Sequence, residues 1–273
     1  MKTVMLPGGL LLDGKLHRLA GFHPLTGSIE LAIAEAKDLF ESYPFFTTNV
    51  LSAAVASIGD IETTPDIIRS LSIPDRQYLM LHLSVLLEGN IRWFKHTCES
   101  CRNLFDLSVN RLELPVYEPT GAYPEFKIDI NGKTALLRIP DGRIEEKLAE
   151  ISDNKQAVNT LLLNSVLLID DQSFGQEQLE KLEPEDILKI EDALEKHSPA
   201  ITDQIAGLCP FCQTKAVIDL NFSAGLNQGF NILHDINKIA LYYHWSENEI
   251  MNLPRKRRHQ YLKMIDESRG MAT

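Results

Sequence analysis

Apolar positions along the chain fall into short strand-like runs and longer stretches at helical spacing. Residues 3–25 carry scattered apolar side chains, and Asp13-Gly14 between them is typical of a hairpin turn because both residues tolerate positive φ. A spacing of three to four residues predicts a helix from Ser28 to Phe40, with Ser28 as its N-cap. Further helices are predicted from Thr48 to Ile58, from Asp66 to Leu71 and from Ser72 to Glu88.

The pattern changes to alternation after Gly89-Asn90. Strands are predicted over residues 91–97, 105–109 and 216–220, and Asn131-Gly132 predicts a hairpin spanning 126–139. Residues 112–124 are rich in proline and resemble a linker, whereas 141–151, 154–168, 184–197 and the tail from Leu226 are predicted to be helical. Because strands and helices interleave without a regular β-α-β order, the sequence predicts an α+β fold, mostly helical with short β-hairpins.

The last 30 residues contain a complete helix-start signal. Ser246 and Glu249 form a capping box, and Trp245 and Ile250 occupy the positions of a hydrophobic staple. The preceding helix is therefore expected to end near His244. Pro254 is then expected in the first turn of the last helix.

Charge narrows the possible partners. The formal net charge is −11, so nucleic acid and anionic membrane surfaces are disfavoured as non-specific partners. No apolar run approaches the roughly 20 residues that span a bilayer, and the start of the chain, with Pro7-Gly8-Gly9, does not resemble a signal peptide. The expected location is the cytoplasm, where thiols stay reduced and paired cysteines indicate metal binding before disulfides.

All four cysteines belong to two Cys-x-x-Cys pairs, Cys98/Cys101 and Cys209/Cys212. Each pair is followed by a few polar residues and an alternating strand, as in a zinc ribbon, so the sequence predicts one structural Zn²⁺ bound by all four thiolates. Compact ribbons separate their pairs by about 15–20 residues, whereas here 107 residues intervene. The prediction is a split ribbon with an inserted α+β module: residues 1–111 with the first knuckle, 112–205 as the insertion, and 206–273 with the second knuckle and a helical tail.

Other interpretations of the cysteines stay open. The pairs could be independent reduced knuckles, or each could form a disulfide as in redox Cys-x-x-Cys motifs. A catalytic zinc usually has three protein ligands and an open position, which four cysteines do not favour. The chain contains no P-loop, dinucleotide-binding, nucleophile-elbow or kinase motif, so it is predicted not to be an enzyme.

One dense basic run, Arg255-Lys256-Arg257-Arg258, follows Trp245 in the tail. In an acidic chain such a run is most often a solvated helix face or a contact with an acidic protein, and these five residues are candidate partner-binding residues. The alternative is a zinc-ribbon nucleic-acid-binding or regulatory protein in which the four basic residues contact phosphates.

Several segments together resemble a known family. They are Leu6-Pro7-Gly8-Gly9, the stretch from Gly21 to Gly27, Ser72-Ile73-Pro74-Asp75-Arg76-Gln77-Tyr78-Leu79 and the two knuckles. In this order they resemble the baseplate hub assembly proteins of contractile-tailed, T-even-like phages and of phage-tail-like contractile injection particles. The segment from His244 to Pro254 is similar to tail-assembly chaperone segments of the same systems, whereas residues 113–205 match nothing in that family's pattern.

The resemblance implies a non-enzymatic role. Such a protein would act as an assembly factor or component of the baseplate hub and bind hub, spike or tube proteins. It would be made in the cytoplasm of the producing cell and could be incorporated into the particle. Nucleic acid is not an expected partner.

Overall fold

The computed structural model describes residues 2–220 and 232–270. The first part of the chain forms a sheet, four helices and a separate hairpin. Its elements are β1 (Lys2–Leu12), β2 (Lys15–Phe22), α1 (Gly27–Leu39), α2 (Tyr43–Ala54), β3 (Val55–Ile58), β4 (Ile61–Glu62), α3 (Pro65–Arg69), α4 (Ile73–Glu88), β5 (Ile91–Thr97) and β6 (Leu104–Asn110). Strands β1 to β4 form one antiparallel sheet in sequence order, and β5 pairs with β6 alone.

Apolar burial stabilises this first unit, which we define as residues 2–110. The inward residues of β1 to β3 and the facing sides of α1, α2 and α4 share one core that includes the fully buried Leu6, Ile33, Leu51 and Leu79. Alternation along the strands and helical spacing along α4 place these side chains on the same side. Burying apolar area on this scale is the main stabilising contribution to such a unit.

A polar contact fixes the irregular part of β1. Its register shifts between Met5 and Leu10, and the amides of Gly8 and Gly9 there donate to the buried Asp75 carboxylate at 2.9 and 3.0 Å. Asp75 lies in the first turn of α4, where Ser72 caps the helix by accepting from the Asp75 amide. Two segments that are distant in sequence, Pro7-Gly8-Gly9 and the start of α4, therefore contact each other directly.

The second part of the chain repeats this order of elements. A 3-10 helix (Arg111–Glu113) and β7 (Val116–Tyr117) connect it to the first unit. Its elements are β8 (Glu125–Ile130), β9 (Lys133–Arg138), α5 (Gly142–Ala149), α6 (Asn154–Ser165), β10 (Val166–Ile169), β11 (Gln172–Ser173), α7 (Gln176–Leu179), α8 (Pro184–His197), β12 (Ala200–Ile201), β13 (Gln204–Leu208) and β14 (Lys215–Asp219). Strands β8 to β11 form a four-stranded sheet in sequence order, and β13 pairs with β14.

The repeat has a constant spacing of 111 positions from the second helix onward. Helix α2 and helix α6 coincide at this spacing, as do β3 and β10, the starts of α4 and α8, and Cys98 and Cys209. We call residues 125–219 the second unit. It has its own core around Phe126, Leu137, Leu162 and Ile190. The predicted insertion is thus largely a second copy of the architecture before it, which is the pattern of a tandem repeat.

A third, shorter copy follows. It comprises α9 (Ile232–Tyr243), α10 (Glu247–Met251) and α11 (Arg255–Ser268). The pair α10 and α11 corresponds to α3 and α4: Ser246 caps α10 as Thr64 caps α3, and the buried Ile250 corresponds to the buried Ile68. The predicted capping box of Ser246 and Glu249 is confirmed.

The copies join in the same way twice. At the inner joint, α5 of the second unit meets the start of α4. Ser72 and Asp141 form an isolated antiparallel β-bridge, and the Gly142 amide donates to the Leu71 carbonyl at 3.0 Å. Arg76 forms an ion pair with Glu145 at 3.2 Å.

At the outer joint, α1 meets the start of α11. Pro254 and Thr26 form an isolated antiparallel β-bridge, and the Arg255 amide donates to the Leu25 carbonyl at 3.1 Å. Arg258 forms an ion pair with Glu30 at 2.6 Å. The outer joint therefore uses the same kinds of contact as the inner one, with the backbone hydrogen bond in the opposite direction.

The structure corrects several predicted boundaries. Thr26, not Ser28, is the N-cap of α1, and it makes no side-chain capping bond. The helix predicted from Thr48 to Ile58 begins at Tyr43, because Pro44 fits its first turn, and ends at Ala54. The helix predicted over 154–168 ends at Ser165. In both cases the residues after the helix form a strand, β3 or β10.

The α+β class with short hairpins is confirmed, and so are strands 91–97 and the Asn131-Gly132 hairpin, where both turn residues have positive φ. The linker predicted over 112–124 contains β7, which pairs with β12. The start of the helical tail predicted from Leu226 lies outside the described residues. Among the described residues, none of the helices combines the length and the apolar character needed to cross a membrane.

Candidate metal centre

Two hairpins, one from each unit, carry the cysteines. Strands β5 and β6 pair from Ile91/Asn110 to Thr97/Leu104, and β13 and β14 pair from Gln204/Asp219 to Leu208/Lys215. Each Cys-x-x-Cys pair begins directly after the first strand of its hairpin. Antiparallel pairing therefore brings each pair of thiols to the tip of a hairpin, which is the arrangement of a zinc ribbon.

The two tips have the same backbone geometry. In the first, the Arg102 amide donates to the Cys98 carbonyl and the Cys98 amide to the Asn103 carbonyl, at 2.9 and 3.0 Å. In the second, Gln213 and Thr214 take these places around Cys209, with both distances at 2.9 Å. Arg102 and Gln213 adopt positive φ, 61° and 62°. These turns direct the two thiols of each tip toward the same point.

The four sulfurs lie at the corners of a compact cluster. Cys98 Sγ is 3.6 Å from Cys212 Sγ, Cys101 Sγ is 3.7 Å from Cys209 Sγ, and all four lie within 4.8 Å of one another. A tetrahedral zinc with Zn–S bonds of about 2.3 Å requires sulfurs about 3.8 Å apart. Disulfide sulfurs lie about 2.05 Å apart, and all four cysteines are free. The donor set and spacing fit a four-coordinate thiolate site.

The surroundings favour thiolates at the exposed corner. Cys98 and Cys209 are buried against Phe105 and Ala216, whereas Cys212 is exposed. Burial raises the pKa of Cys209 to about 11. The Thr214 hydroxyl oxygen lies 3.3 Å from Cys212 Sγ, and by donating to the thiolate form it lowers the pKa of Cys212 to about 6.

Each tip supplies one side-chain donor to its second cysteine. Asn103 Nδ2 donates to Cys101 Sγ at 3.5 Å, and Thr214 lies at the matching position beside Cys212. Hydrogen bonds from the groups around the ligands favour the charged ligand and orient it. Because four thiolates fill a tetrahedral coordination sphere, the arrangement is that of a structural site and leaves no position for a substrate.

The structure distributes the other candidate residues differently from the prediction. Arg258 is fully buried, where it pairs with Glu30 and with Asp235 at 3.4 Å, and Arg255 pairs with Glu30 at 3.1 Å. Arg258, predicted among the candidate partner-binding residues, is therefore enclosed within the chain and does not lie at the surface.

The remaining candidates stay at the surface. Lys256 and Arg257 are exposed, and Arg257 lies over the Tyr261 ring at 5.8 Å. Trp245 packs against Tyr243 and Tyr261 with ring centroids 5.1 and 4.9 Å apart. Their partner-binding role stays a prediction.

Sequence reasoning missed the residues that join the copies. The sequence did not predict the ion pairs of Arg76 with Glu145 and of Arg258 with Glu30. It also did not predict that Asn103 and Thr214 contact the cysteine sulfurs. The constant spacing of 111 positions was the available signal, since it relates both cysteine pairs and also Asp75 to Asp186.

Comparison with known proteins gave one match. A family model described as T4 bacteriophage base plate protein matches residues 28–223, which is well over half of the chain. The match runs through residues 113–205, which were expected to fall outside the family, and includes both cysteine pairs. It does not include the Pro7-Gly8-Gly9 segment or the third copy. No curated protein and no solved structure matches the chain.

Proposed function

This chain belongs to the T4 bacteriophage base plate protein family, and on that basis we propose that it is a non-enzymatic assembly factor or component of the baseplate hub in a contractile phage tail or injection particle. Its partners are hub, spike or tube proteins. It is made in the cytoplasm of the producing cell and enters the particle. The half-buried Trp245 and the exposed Lys256 and Arg257 are the proposed partner contacts.

A structural Zn²⁺ bound by Cys98, Cys101, Cys209 and Cys212 is part of this proposal. The observation that carries it is the spacing of the four sulfurs, 3.6 and 3.7 Å for the closest pairs. Two thiolates come from each unit, so the ion would tie the units together at the hairpin tips. When bound, the metal supplies coordination energy and no chemistry on a substrate.

The basic run gives little support to the nucleic-acid alternative. Two of its four cations, Arg255 and Arg258, are engaged with Glu30 and Asp235. A phosphate would have to compete with these carboxylates. The remaining two cations are too few for strong binding by counter-ion release.

Metal content tests the zinc proposal. The purified chain is expected to contain one zinc per molecule by inductively coupled plasma mass spectrometry, and Cys209→Ser is expected to lose it. Structural zinc contributes roughly 10–16 kcal/mol of apparent binding energy. Residues 91–110 and 204–219 should therefore exchange their amide protons much faster in the variant. Ser100→Ala, in the first tip but not a ligand, is the matched control.

Retained zinc in Cys209→Ser, or a wild-type chain purified without zinc and unable to bind it, would contradict this site. The baseplate role is tested separately by co-expressing the chain with each hub, spike and tube protein of its own particle and measuring stable complexes by size-exclusion chromatography. The role predicts a complex with at least one of them. Particles assembled in normal number and shape without the chain would contradict it.

A further inference from the structure

Two grooves occupy equivalent places at the two joints. The outer groove, about 390 Å³, lies between the end of α4 and the start of α11. Its floor is apolar, formed by Leu25, Leu86, Leu87 and Pro254. Arg255, Lys256 and His259 form its rim.

The inner groove, about 360 Å³, lies between the end of α8 and the start of α4 and includes Ile73, Pro74, Gln77, Pro140 and Leu194. Both grooves therefore lie between the end of one long helix and the start of another, beside a joint of the same construction.

The repeat shows which positions differ between the grooves. Pro254 corresponds to Ser72 because each forms the isolated β-bridge of its joint, Pro254 with Thr26 and Ser72 with Asp141. Counting onward from these two residues, Arg255 stands in place of Ile73, Lys256 in place of Pro74, and His259 in place of Gln77. Three uncharged positions have thus become two cations and a histidine. On the floor, Leu86 and Leu87 of the outer groove stand in place of His197 and Ser198, so the outer floor is also the more apolar one.

The charge at the outer rim is unusual for this chain and for this place in a helix. The chain carries a net charge of −11, yet the first turn of α11 contains no acidic residue. A helix N-terminus favours carboxylates and disfavours cations. Arg255 is paired with Glu30, but Lys256 has no ion-pair or hydrogen-bond partner among residues 2–220 and 232–270.

The occupant of the outer groove follows from these features. We propose that the groove binds a short segment of another baseplate protein in which a large apolar side chain is flanked by Asp or Glu. The apolar side chain packs on Leu25, Leu86 and Leu87, and a carboxylate pairs with Lys256. This inference rests on the proposed baseplate function and adds the chemistry of the segment that is bound.

The apolar floor argues against a phosphate ligand. A nucleic acid or free phosphate would leave the leucines uncovered, whereas an acidic segment without an apolar side chain would gain only a surface ion pair, which contributes little in salt. Apolar burial with flanking charge complementarity is the arrangement of a small protein-binding site.

Peptide binding to the full-length protein tests the proposal. Fluorescein-labelled peptides of about 15 residues, tiled over the hub, spike and tube proteins of the same particle, are a suitable probe length for one short segment. Binding is measured by fluorescence anisotropy for the wild-type chain, Lys256→Glu and Lys263→Glu. Lys263 lies on the same helix and outside the groove, so Lys263→Glu makes the same charge change as a control.

The expected result is a bound peptide that carries a large apolar residue beside Asp or Glu. Its affinity should fall roughly 10-fold or more in Lys256→Glu and stay within about 2-fold in Lys263→Glu. Replacing the apolar residue of that peptide with Ser should weaken binding by a similar factor.

The proposal would be overturned if the bound peptides had no acidic residues, or if Lys256→Glu and Lys263→Glu had equal effects. It would also be overturned if a single-stranded oligonucleotide bound more strongly than every peptide and Lys256→Glu abolished that binding. A concentration-dependent dimer of the chain that Lys256→Glu abolishes would also overturn it, because a second copy would then be the occupant. If the intact chain forms a complex with a baseplate protein that Lys256→Glu leaves unchanged, the groove proposal fails while the baseplate role stands.

Discussion

The inner and outer joints are built from the same parts but have different support. Each has a short antiparallel bridge, one backbone hydrogen bond, and a glycine at the start of the docking helix. A side chain at Gly142 would collide with the Arg76 guanidinium, whereas a side chain at Gly27 would make only a tight contact with Met251. Each joint also buries an Arg–Glu pair, Arg76 with Glu145 or Arg258 with Glu30.

The inner joint has further attachments between the same two units. Tyr123, in the segment that connects the units, donates to Asp75 at 3.1 Å. Glu146 accepts from Thr48 and Arg69, and the four cysteine sulfurs lie close together at the hairpin tips. Within residues 232–270, the third copy meets the first unit through the outer joint and the apolar cluster around Ile236, Ile239 and Ile250. The inner joint is therefore one of several attachments between the first and second units. The outer joint is the main polar attachment between the first unit and the described part of the third copy.

Removing the buried arginine should break the outer joint more completely than the inner one. In Arg258→Ala, the buried Glu30 keeps only Arg255 as a partner, and Asp235 loses its partner. Removing one member of a buried ion pair lowers the free energy of unfolding by about 3–5 kcal/mol. We expect amide exchange in 232–268 to accelerate strongly. Arg76→Ala should accelerate exchange at 141–149, while the proposed metal would keep the two units attached.

Chelation sharpens this comparison. In Arg76→Ala, removing the metal with EDTA should increase the radius of gyration measured by small-angle X-ray scattering, whereas Arg258→Ala should show its expansion with metal present. Lys238→Ala, which removes an ion pair with Asp266 inside the third copy, is the control. Equal exchange at 232–268 in Arg258→Ala and wild type would show that the apolar cluster alone fixes the third copy.

Acid should destabilise the first unit more than the second, and this difference in the free energy of unfolding should be smaller than the effect of removing a buried arginine. Burial, with the charge of Lys2, lowers the pKa of His82 from 6.5 to about 4. Below pH 6.5 the unfolded chain binds a proton that the folded chain does not bind until about pH 4, so this contribution to stability is present above pH 6.5 and is lost as the pH falls through that window. The second unit has Ala193 at the equivalent position.

Wild type should therefore lose about 2 kcal/mol more than His82→Gln between about pH 7 and pH 4.5. Urea unfolding at the two pH values measures this difference. The change should be confined to amides of the first unit in hydrogen exchange. Parallel losses in the two proteins would mean that His82 does not carry the acid sensitivity.

Local signals in the sequence explain which parts of the fold were predictable. Gly89, Asn131-Gly132 and the Ser246 capping box mark turns and helix ends by their own chemistry, so the adjacent elements were placed within a residue or two. The errors at Val55 and Val166 occur at equivalent positions of the two units. There a helix passes directly into a strand with no glycine or proline between them, and pairing with β2 or β9 decides the outcome.

The cysteine cluster was predictable because its chemistry depends on residue type, whereas the repeat was not apparent because it depends mostly on burial. Cys98/Cys209 and Asp75/Asp186 are identical across the units, but Arg76 corresponds to Ile187. A core or joint accepts such changes when neighbouring contacts change with them. Pairing of Arg76 with Glu145 across the chain required the positions of both helices.

The smallest expected difference separates the two tips of the metal centre. Thr214→Val keeps the side-chain volume and removes the hydroxyl that donates to Cys212, and Asn103→Ala removes the longer bond to Cys101. Since changing such a partner typically weakens metal binding by about 10–100-fold, Thr214→Val should weaken zinc binding about 10-fold and Asn103→Ala about 3-fold. Competition with a chromophoric chelator at fixed pH measures both. Equal effects would mean that the two units contribute equivalent thiolates despite their different donors, and a larger effect of Asn103→Ala would place the more dependent thiolate in the first unit.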